Sequence, residues 1–367
     1  MTSGMQAKRA APALCIYAGE KARGIIRDEG LRPDRVRIVA GAAGGPKWLV
    51  LHGLDRRWPL FFAHRTKPLF LIGASIGAWR FLCAVLGDGA LDRFREGYIE
   101  QRYEHKPSTA EVTGQTWCIL RHLLADHSPG EALSHAFYRM SVLTVRSRHL
   151  IQSGRKVVQG LGLTGAALAN LARRKWLKYF FERSLFYDGR DIPPFLGMND
   201  FPTQKTLLTP ANLLQATIAS GSIPLVMQGI PDIPGAKAGI YLDGGIVDYH
   251  IDIDYLGADD HHLVLYPHYT DRIVPGWLDK HLTWRTPRSE RTQNLVLVSP
   301  SREFVQALPY AKIPDRNDFA LFFKRDGERI AYWRTAVEAS ERLGEEFFEA
   351  VQSGRIRELV RPLPWQK

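Results

Sequence analysis

The sequence is poor in cysteine and has no long apolar run. Its three cysteines, Cys15, Cys83 and Cys118, form no C-x-x-C pair and are too few for a disulfide framework. We therefore expect a reducing compartment and no structural zinc. No stretch approaches the roughly 18 apolar residues that a membrane-spanning helix needs. No internal repeat or low-complexity tract is visible, which excludes solenoid and fibrous classes.

The N-terminal segment carries only a weak resemblance to an export signal. Lys8 and Arg9 precede an apolar stretch over residues 10–19, but this stretch is short and Pro12 interrupts it. We therefore expect a cytoplasmic protein.

Acidic residues are few relative to basic ones, and the excess is concentrated. The chain has 49 Lys and Arg against 38 Asp and Glu, and residues 139–190 hold 11 of the basic residues with only two acidic ones. Basic residues alternate with Trp, Tyr and Phe over residues 173–181, a composition typical of the lipid interface. We expect peripheral contact with an anionic membrane through residues 139–190. A helix that buries its aromatics and exposes a solvated charged face is the alternative, and nucleic acid is not an expected partner.

Apolar segments alternate with glycine turns and helical patterns. Residues 36–40 and 69–72 each predict a buried strand that leads through a glycine turn into a helix, which is typical of a parallel sheet covered by helices. Three further strands are predicted at residues 240–243, 263–266 and 295–298, and an amphipathic helical run at residues 325–360.

This pattern divides the chain into four segments. Residues 1–90 form the first part of an α/β core, residues 91–200 a mostly helical cap insertion, residues 201–300 the second part of the core, and residues 301–367 a helical extension. The fold class we predict is α/β, with a mainly parallel sheet.

The first candidate site is the sequence Gly73-Ala74-Ser75-Ile76-Gly77. It matches the G-x-S-x-G nucleophile elbow, in which a serine occupies a tight strand-to-helix turn. The glycines at both ends are needed because the backbones of strand and helix approach closely there. An apolar strand precedes the motif and a helical pattern follows it, as the elbow requires. An ordinary βα turn with a small polar residue is the alternative.

The second candidate site is the loop Ala43-Gly44-Gly45-Pro46-Lys47, also between a strand and a helix. Consecutive glycines let backbone N–H groups converge, and a helix N-terminus adds partial positive charge, so the loop could hold a phosphate or a developing oxyanion. Trp48 follows Lys47 where a phosphate-binding loop requires Ser or Thr, and the G-x-G-x-x-G fingerprint is absent. A tight turn without a ligand is the alternative.

The third candidate is the carboxylate of Asp243, followed by Gly244 and Gly245 at the end of a predicted strand. A carboxylate there points into the crevice where α/β sheets bind ligands. A turn-forming or helix-capping aspartate is the alternative.

Together these three motifs resemble the patatin-like phospholipases. The order of the glycine loop, the G-x-S-x-G elbow and the Asp-Gly-Gly is that of the family, and residues 219–224 resemble its Ala-Ser-x-x-x-Pro segment. The resemblance covers residues 36–87 and 211–250. The chain departs from the family at Ala43, which replaces a glycine, and at Trp48, which is expected to narrow the acyl site.

The resemblance implies a patatin-like three-layer α/β/α core with a helical cap and a Ser–Asp dyad. Ser75 would be the nucleophile and Asp243 the general base in hydrolysis of a phospholipid or other lipid ester, through an acyl-enzyme. The N–H groups of Ala43, Gly44 and Gly45 would form the oxyanion hole. The resemblance also implies supporting roles for three further groups of residues. These are the elbow glycines Gly73 and Gly77, the pair Gly244 and Gly245 after Asp243, and Lys47, which would add positive potential. No metal or other cofactor is implied.

Two alternatives to the dyad remain open. Twelve histidines are present, and a Ser-His-Asp triad would need a late histidine such as His250, His261, His262 or His268. A non-catalytic module of the same shape that binds lipid or protein is the other alternative, since the glycine loop departs from the family pattern.

Overall fold

The computed structural model describes residues 11–87, 89–257 and 259–366. Its strands are β1 (Leu14–Ala18), β2 (Val36–Gly41), β3 (Leu69–Ala74), β4 (Tyr138–Ser147), β5 (Phe181–Tyr187), β6 (Thr203–Leu207), β7 (Ile230–Pro231), β8 (Ile240–Asp243), β9 (Leu263–Pro267), β10 (Leu295–Pro300) and β11 (Arg361–Pro362).

The α-helices are α1 (Glu20–Glu29), α2 (His52–Asp55), α3 (Trp58–Phe61), α4 (Ile76–Leu86), α5 (Ala90–Ile99), α6 (Thr109–Leu124), α7 (Pro129–Ala132), α8 (Lys156–Ala172), α9 (Leu213–Ser220), α10 (Gly245–Asp248), α11 (Arg302–Ala307), α12 (Asp318–Leu321), α13 (Asp326–Gln352) and α14 (Ile356–Leu359).

One mixed sheet, in the order β11-β1-β10-β9-β2-β3-β4-β5-β6, organises the molecule. The central neighbours β10, β9, β2, β3 and β4 run parallel to one another. Every residue of β3 and of β10 is buried. Because successive side chains of a strand point to opposite faces, this burial means that both faces of the sheet are covered. The predicted fold class, α/β with a mainly parallel sheet, is confirmed.

Residues 91–200 contain more helix than strand, but they are not a cap inserted outside the core as we predicted. They include α5 to α8, but they also include β4 and β5, which pair within the central sheet. The two strands escaped prediction because β4 is buried along almost its whole length and shows no two-residue alternation.

Strand β4 extends beyond β3, and this difference in length positions the two ends of the candidate site. Residues 138–143 of β4 pair with β3, up to the pair Ala74–Leu143. The next residues of β4 pair with β8, which runs antiparallel and ends where Asp243 lies opposite Thr144. Strand β8 thus pairs with the same edge of β4 as β3 does, starting where β3 ends at the Ser75 turn. The ends of β3 and β8 therefore face each other beside β4.

A buried ion pair holds the segment after Asp243. The guanidinium of Arg183, on β5, donates to both carboxylate oxygens of Asp248 at 2.7 and 2.6 Å, and Nη1 also donates to Asp200 at 2.8 Å. Both Arg183 and Asp248 are fully buried. Because an unpaired charge in this position would be strongly destabilising, the pair ties α10 to β5.

In the part of the chain that the structure describes, no helix is both long enough and apolar enough to cross a membrane. Lys8 and Arg9, which begin the weak export-like segment, lie outside the described residues.

Candidate active site

Ser75 lies in a strained turn between β3 and α4. Its φ of 54° and ψ of −127° are rarely adopted by a residue with a side chain, and they cost on the order of 1–3 kcal/mol. The turn places the Ser75 hydroxyl at the N-terminus of α4. Strain of this kind is typical of positions whose orientation serves a function.

Glycine is required on both sides of this turn. A Cβ added to Gly77 would lie 2.0 Å from the Gly41 carbonyl oxygen, and one added to Gly73 would lie 2.5 Å from the Ala78 nitrogen. Helix α4 therefore packs directly on the backbones of β2 and β3. This contact is the physical reason for the glycine spacing in the sequence.

The Ser75 hydroxyl and the Asp243 carboxylate meet, 168 positions apart in sequence. Ser75 Oγ donates to Asp243 Oδ2 at 2.8 Å, and Asp243 Oδ1 accepts the backbone N–H of Gly245 at 2.7 Å. Burial raises the pKa of Asp243 above its ordinary value, and the two hydrogen bonds oppose this shift only in part. A carboxylate in this setting can accept the serine proton.

Ser220 fixes the backbone on which Ser75 lies. Its hydroxyl accepts the Ser75 N–H at 2.8 Å and donates to the Leu143 carbonyl at 2.6 Å, so it bridges the elbow to β4. Two backbone bonds, from Asp243 N to Ser222 O and from Gly244 N to Ser220 O, attach the same segment to the end of β8. The Ala-Ser-x-x-x-Pro segment thus connects the serine to the carboxylate.

The glycine loop supplies fewer free N–H groups than the sequence analysis expects. The N–H of Ala43 donates to the Tyr249 carbonyl at 2.9 Å and is not available to a ligand. Gly44 and Gly45 precede or begin the 3₁₀-helix Gly45–Leu51, where N–H groups have no intrahelical acceptor. Among the described residues, no backbone acceptor outside that helix is seen for either group. Gly44 also lines the cavity that holds Ser75.

A chain of buried hydrogen bonds, which the sequence did not predict, orients this loop. Tyr269 Oη donates to the Ala43 carbonyl at 2.6 Å, and His250 Nε2 lies 2.7 Å from Tyr269 Oη. Since the tyrosine proton goes to Ala43, the Nε2–H of His250 donates to Tyr269. The Val274 N–H donates to His250 Nδ1 at 2.8 Å, which agrees with that tautomer. Burial lowers the pKa of His250 well below its ordinary value and keeps the ring neutral.

This chain determines where the N–H of Gly44 points. The Ala43 carbonyl and the Gly44 N–H belong to one trans peptide, so they point in opposite directions. Because the carbonyl is held on Tyr269, the Gly44 N–H is directed away from Tyr269. An added Cβ on Gly44 would lie 2.6 Å from the Tyr269 ring, so ring and loop are in direct contact.

The histidines proposed for a triad lie elsewhere. His250 is engaged with Tyr269, His268 Nδ1 bonds the Thr270 backbone, and His262 pairs with Asp260 at 2.7 Å. His281 lines the cavity near Ser75. Within the described residues, no histidine forms a hydrogen bond with Ser75 or Asp243. The geometry offers a direct serine–carboxylate pair.

Two cavities of different character meet at Ser75. The polar cavity, of about 640 Å³, also contains Asp243, Gly44, Lys47, Lys280 and Arg316. The apolar cavity, of about 460 Å³, is lined mainly by aliphatic and aromatic side chains, among them Trp79, Phe94, Ile119, Val226, Met227 and Phe319. Ser75, Ile223 and Arg316 border both cavities. A group bound at Ser75 could therefore extend into an apolar space on one side and a polar space on the other.

Trp48 does not narrow either cavity. It is fully buried and stacks on Phe94, with ring centroids 4.8 Å apart. Lys280 and Arg316, by contrast, line the polar cavity although no sequence motif marked them. They come from segments after β9 and β10, where the resemblance to the family provides no guide. Among the described residues, no cluster of histidine, cysteine and carboxylate side chains could hold a metal ion.

Comparison with known proteins gives only remote matches. No protein-family profile matches the chain, and no curated protein matches it in sequence. VipD from Legionella pneumophila aligns over 72% of this chain and 55% of its own, at 14% identity and a TM-score of 0.30. Human GIVD cytosolic phospholipase A2 aligns over 95% of this chain and 66% of its own, at 12% identity and a TM-score of 0.34.

The chain thus spans between about half and two-thirds of the solved chains that it matches.

Removing the hydroxyl that holds the Ala43 carbonyl tests the role of the buried chain. Tyr269→Phe frees the Ala43–Gly44 peptide to rotate, so the Gly44 N–H loses its fixed direction. We expect the rate at which an organophosphonate modifies Ser75 to fall by about 10- to 100-fold. The rate is measured by intact-protein mass spectrometry over time.

Tyr266→Phe is the matched control, since Tyr266 is also buried but its hydroxyl has no partner among the described residues. This variant is expected to react at the wild-type rate. Thermal denaturation curves establish that both proteins are folded. Equal labelling rates for Tyr269→Phe and wild type would then contradict a positioning role for Tyr269.

Proposed function

We propose that this protein is a serine acyl hydrolase of the patatin-like type that cleaves fatty-acyl esters of lipids with a Ser75–Asp243 dyad. The observation that carries the proposal is the 2.8 Å hydrogen bond from Ser75 Oγ to a buried carboxylate, on a strained turn that borders an apolar cavity. The remote structural matches include one phospholipase, which agrees with a lipid substrate but does not carry the proposal.

In the first half of the reaction, Ser75 attacks the ester carbonyl. Asp243 accepts the hydroxyl proton as the bond from Oγ to the carbonyl carbon forms. The N–H groups of Gly44 and Gly45 stabilise the oxyanion, each contributing roughly 2.7–4 kcal/mol. The ester C–O bond then breaks, and the leaving alkoxide takes the proton from Asp243. The products of this half are an alcohol and an acyl-enzyme.

In the second half, a water molecule replaces the alcohol. Asp243 accepts a proton from the water as its oxygen attacks the acyl carbon. The tetrahedral intermediate collapses, Ser75 leaves and recovers its proton from Asp243, and the fatty acid is released. Each half moves one proton to Asp243 and back, so the dyad returns to its initial state without a cofactor.

Covalent labelling identifies the nucleophile and tests the base. A fluorophosphonate probe is expected to modify wild-type protein at Ser75 and to leave Ser75→Ala unmodified. Asp243→Asn removes the proton acceptor, so labelling is expected to slow by about 100-fold or more. Peptide mapping by mass spectrometry locates the adduct.

His281→Ala separates the dyad from a triad, because His281 is the histidine that lines the polar cavity with Ser75. This variant is expected to label at the wild-type rate. An adduct at another serine, or loss of labelling in His281→Ala, would refute the dyad. A protein that takes up no probe at all would instead support the non-catalytic module.

The raised pKa of Asp243 sets the acid limit of the reaction. Labelling requires ionised Asp243, so the rate is expected to fall as the pH drops through a pKa above the ordinary aspartate value. The measurement is the labelling rate against pH, in buffers of constant ionic strength. The acid limb should disappear in Asp243→Asn. An acid limb that persists in the pH profile of Asp243→Asn would contradict this assignment. So would a wild-type acid limb at the pKa of an exposed aspartate.

We further propose that helix α8 brings the site to an anionic membrane. Its exposed side carries an apolar stripe of Val157, Leu161, Leu168 and Leu171, and the helix contains no acidic residue. Six of the eleven cations of residues 139–190 are paired with acids, including Arg174 just after α8. Five cations at or near the ends of α8 have no ion-pair partner among the described residues: Arg155, Lys156, Arg173, Lys175 and Lys178. Apolar side chains beside unpaired cations suit a membrane with acidic lipids.

The first turn of α8 borders the apolar cavity. Gln159 of α8 accepts the Leu225 N–H at 3.2 Å, and Lys156, Leu225 and Val226 line that cavity. A lipid chain leaving the bilayer at α8 would therefore reach Ser75 through the apolar cavity.

Vesicle binding tests this proposal. Co-sedimentation is expected to increase with the fraction of anionic lipid and to decrease with salt. Leu161→Glu should weaken binding, because it puts a carboxylate into the stripe. Leu60→Glu is the matched control, since Leu60 is equally exposed (61%, against 63% for Leu161) but lies in α3. Binding that responds to neither lipid charge nor Leu161→Glu would refute the proposal.

A further inference from the structure

A further polar cavity lies beyond the carboxyl ends of strands β9 and β10, and we call it the β9–β10 cavity. Its volume is about 870 Å³, larger than either cavity at Ser75 and within the range typical of small-molecule sites. Neither Ser75 nor Asp243 lines it. It shares four lining residues with the polar cavity at Ser75: Lys47, Tyr249, Lys280 and Asp315. Ligands of α/β proteins commonly bind beyond the carboxyl ends of the strands, as a ligand here would.

One face of strand β1 forms a wall of the β9–β10 cavity. Residues of β1 alternate between buried and half-buried, and the half-buried Cys15 and Tyr17 both line the cavity. Because alternate side chains of a strand point to the same face, one face of β1 is covered and the other borders this space. Arg361 of β11 pairs in register with Tyr17 and lines the cavity as well. The central sheet thus supplies a firm wall for a ligand.

Cations outnumber carboxylates in the β9–β10 cavity. Six lysine and arginine side chains line it, against three carboxylates. Lys312 is paired with Asp315 at 3.2 Å. Three arginines that line neither cavity at Ser75 have no ion-pair partner among the described residues: Arg272, Arg302 and Arg361. They come from three separate segments, the loop after β9, the start of α11 and β11. Unpaired arginines from separate segments around one cavity are suited to bind an anion.

Two carboxylates of the same cavity also lack a cation partner among the described residues. Asp271 accepts from the Thr270 hydroxyl at 3.5 Å, and Glu303 is exposed at the start of α11. Carboxylates accept hydrogen bonds from hydroxyl groups, and the Thr270 and Tyr17 hydroxyls can both donate and accept. The cavity therefore suits a ligand that carries hydroxyl groups as well as an anionic group.

Another wall belongs to the hydrogen-bond chain that orients the glycine loop. Tyr269 and His250 both line the β9–β10 cavity. The Tyr269 hydroxyl donates to the Ala43 carbonyl at 2.6 Å, and the Val274 N–H donates to His250 Nδ1 at 2.8 Å. Arg272 lies in the loop between Tyr269 and Val274. An anion held by Arg272 therefore constrains the loop that orients the glycine loop.

We propose that the β9–β10 cavity is an effector site for a sugar phosphate, free or as part of a nucleotide, whose phosphate is bound by Arg272, Arg302 and Arg361. A phosphate presents several oxygens, so it can accept from arginines of different segments at once. The sugar hydroxyls match the carboxylates, and the volume leaves room for more than a phosphate alone. The ligand holds residues 269–274 in place and thereby accelerates the reaction of Ser75. This last step rests on the proposed function.

Calorimetric titration of the full chain tests the site. Ribose 5-phosphate and adenosine 5′-phosphate are expected to bind, whereas ribose is not, and the tighter ligand shows whether a free sugar phosphate or a nucleotide is preferred. Arg272→Met and Arg302→Met should each weaken binding by about 10-fold or more, through loss of a charge-assisted hydrogen bond. Arg121→Met is the matched control, since Arg121 is exposed without an ion-pair partner among the described residues but lies on α6. Its affinity should equal that of wild type.

Protein phosphonylated at Ser75 separates this site from the active site. The adduct occupies the cavities at Ser75, so ribose 5-phosphate should bind to the modified protein as it does to the unmodified one. In unmodified protein, saturating ribose 5-phosphate is expected to raise the rate of phosphonate labelling by about 5-fold or more. The increase should be absent in Tyr269→Phe, in which the loop no longer holds the Ala43 carbonyl.

The outcomes distinguish this proposal from the proposed function. Absence of binding, binding that is lost after phosphonylation, or affinity unchanged in both arginine variants would overturn the site while leaving the hydrolase intact. A labelling rate unchanged at saturation would overturn its effector role. A protein that binds ribose 5-phosphate through Arg272 and Arg302 but never labels at Ser75 would overturn the proposed function instead.

Discussion

The candidate site depends on the difference in length between two neighbouring parallel strands. Strand β4 continues past the point at which β3 turns at Ser75, and β8 fills the vacated edge from the opposite direction. Sheet hydrogen bonding fixes the register of both β3 and β8 on β4. The ends of the two strands therefore meet at a defined position along β4. The hydrogen bond between Ser75 and Asp243 is thus set by backbone pairing, although 168 residues separate the two side chains.

Packing against the backbone keeps this junction tight. The approach of Gly77 to Gly41, and of Gly244 to the Leu143 carbonyl, leaves no room for a Cβ at either glycine. Ser220 then joins the elbow to β4 through two short hydrogen bonds. The strain at Ser75 is tolerated because several elements converge on it, and each of them constrains the turn independently.

The sequence was informative where chemistry depends on local pattern. Five strands, the elbow, the glycine loop and Asp243 could be predicted, because glycine spacing and apolar runs report on short-range geometry. The strands β4 and β5 could not, because a strand buried on both faces lacks an alternating pattern. The C-terminal helical run at residues 325–360 was predicted and corresponds to α13 and α14.

Within the site, the sequence analysis failed where function depends on long-range contact. Nothing near Ala43 indicates that its N–H is bound to Tyr249, or that Tyr269 and His250 orient the next peptide. Histidine residues near strand ends suggested a catalytic base, whereas the structure uses His250 inside a buried hydrogen-bond chain. Lys280 and Arg316 likewise belong to segments without a motif, and only the fold brings them to the same cavity as Lys47.

The distribution of charge around Ser75 connects these observations. At the surface around α8, unpaired cations lie next to exposed apolar side chains, where a lipid surface can contact both. At the polar cavity, Lys47 and Lys280 are half-buried and Arg316 is exposed, and none of the three has an ion-pair partner among the described residues. In the proposed reaction, a lipid ester bound at Ser75 would place its acyl chain in the apolar cavity and its alcohol part in the polar cavity. Its ester bond would then lie between the two cavities at Ser75, whose hydroxyl is bonded to the Asp243 carboxylate beside the glycine loop.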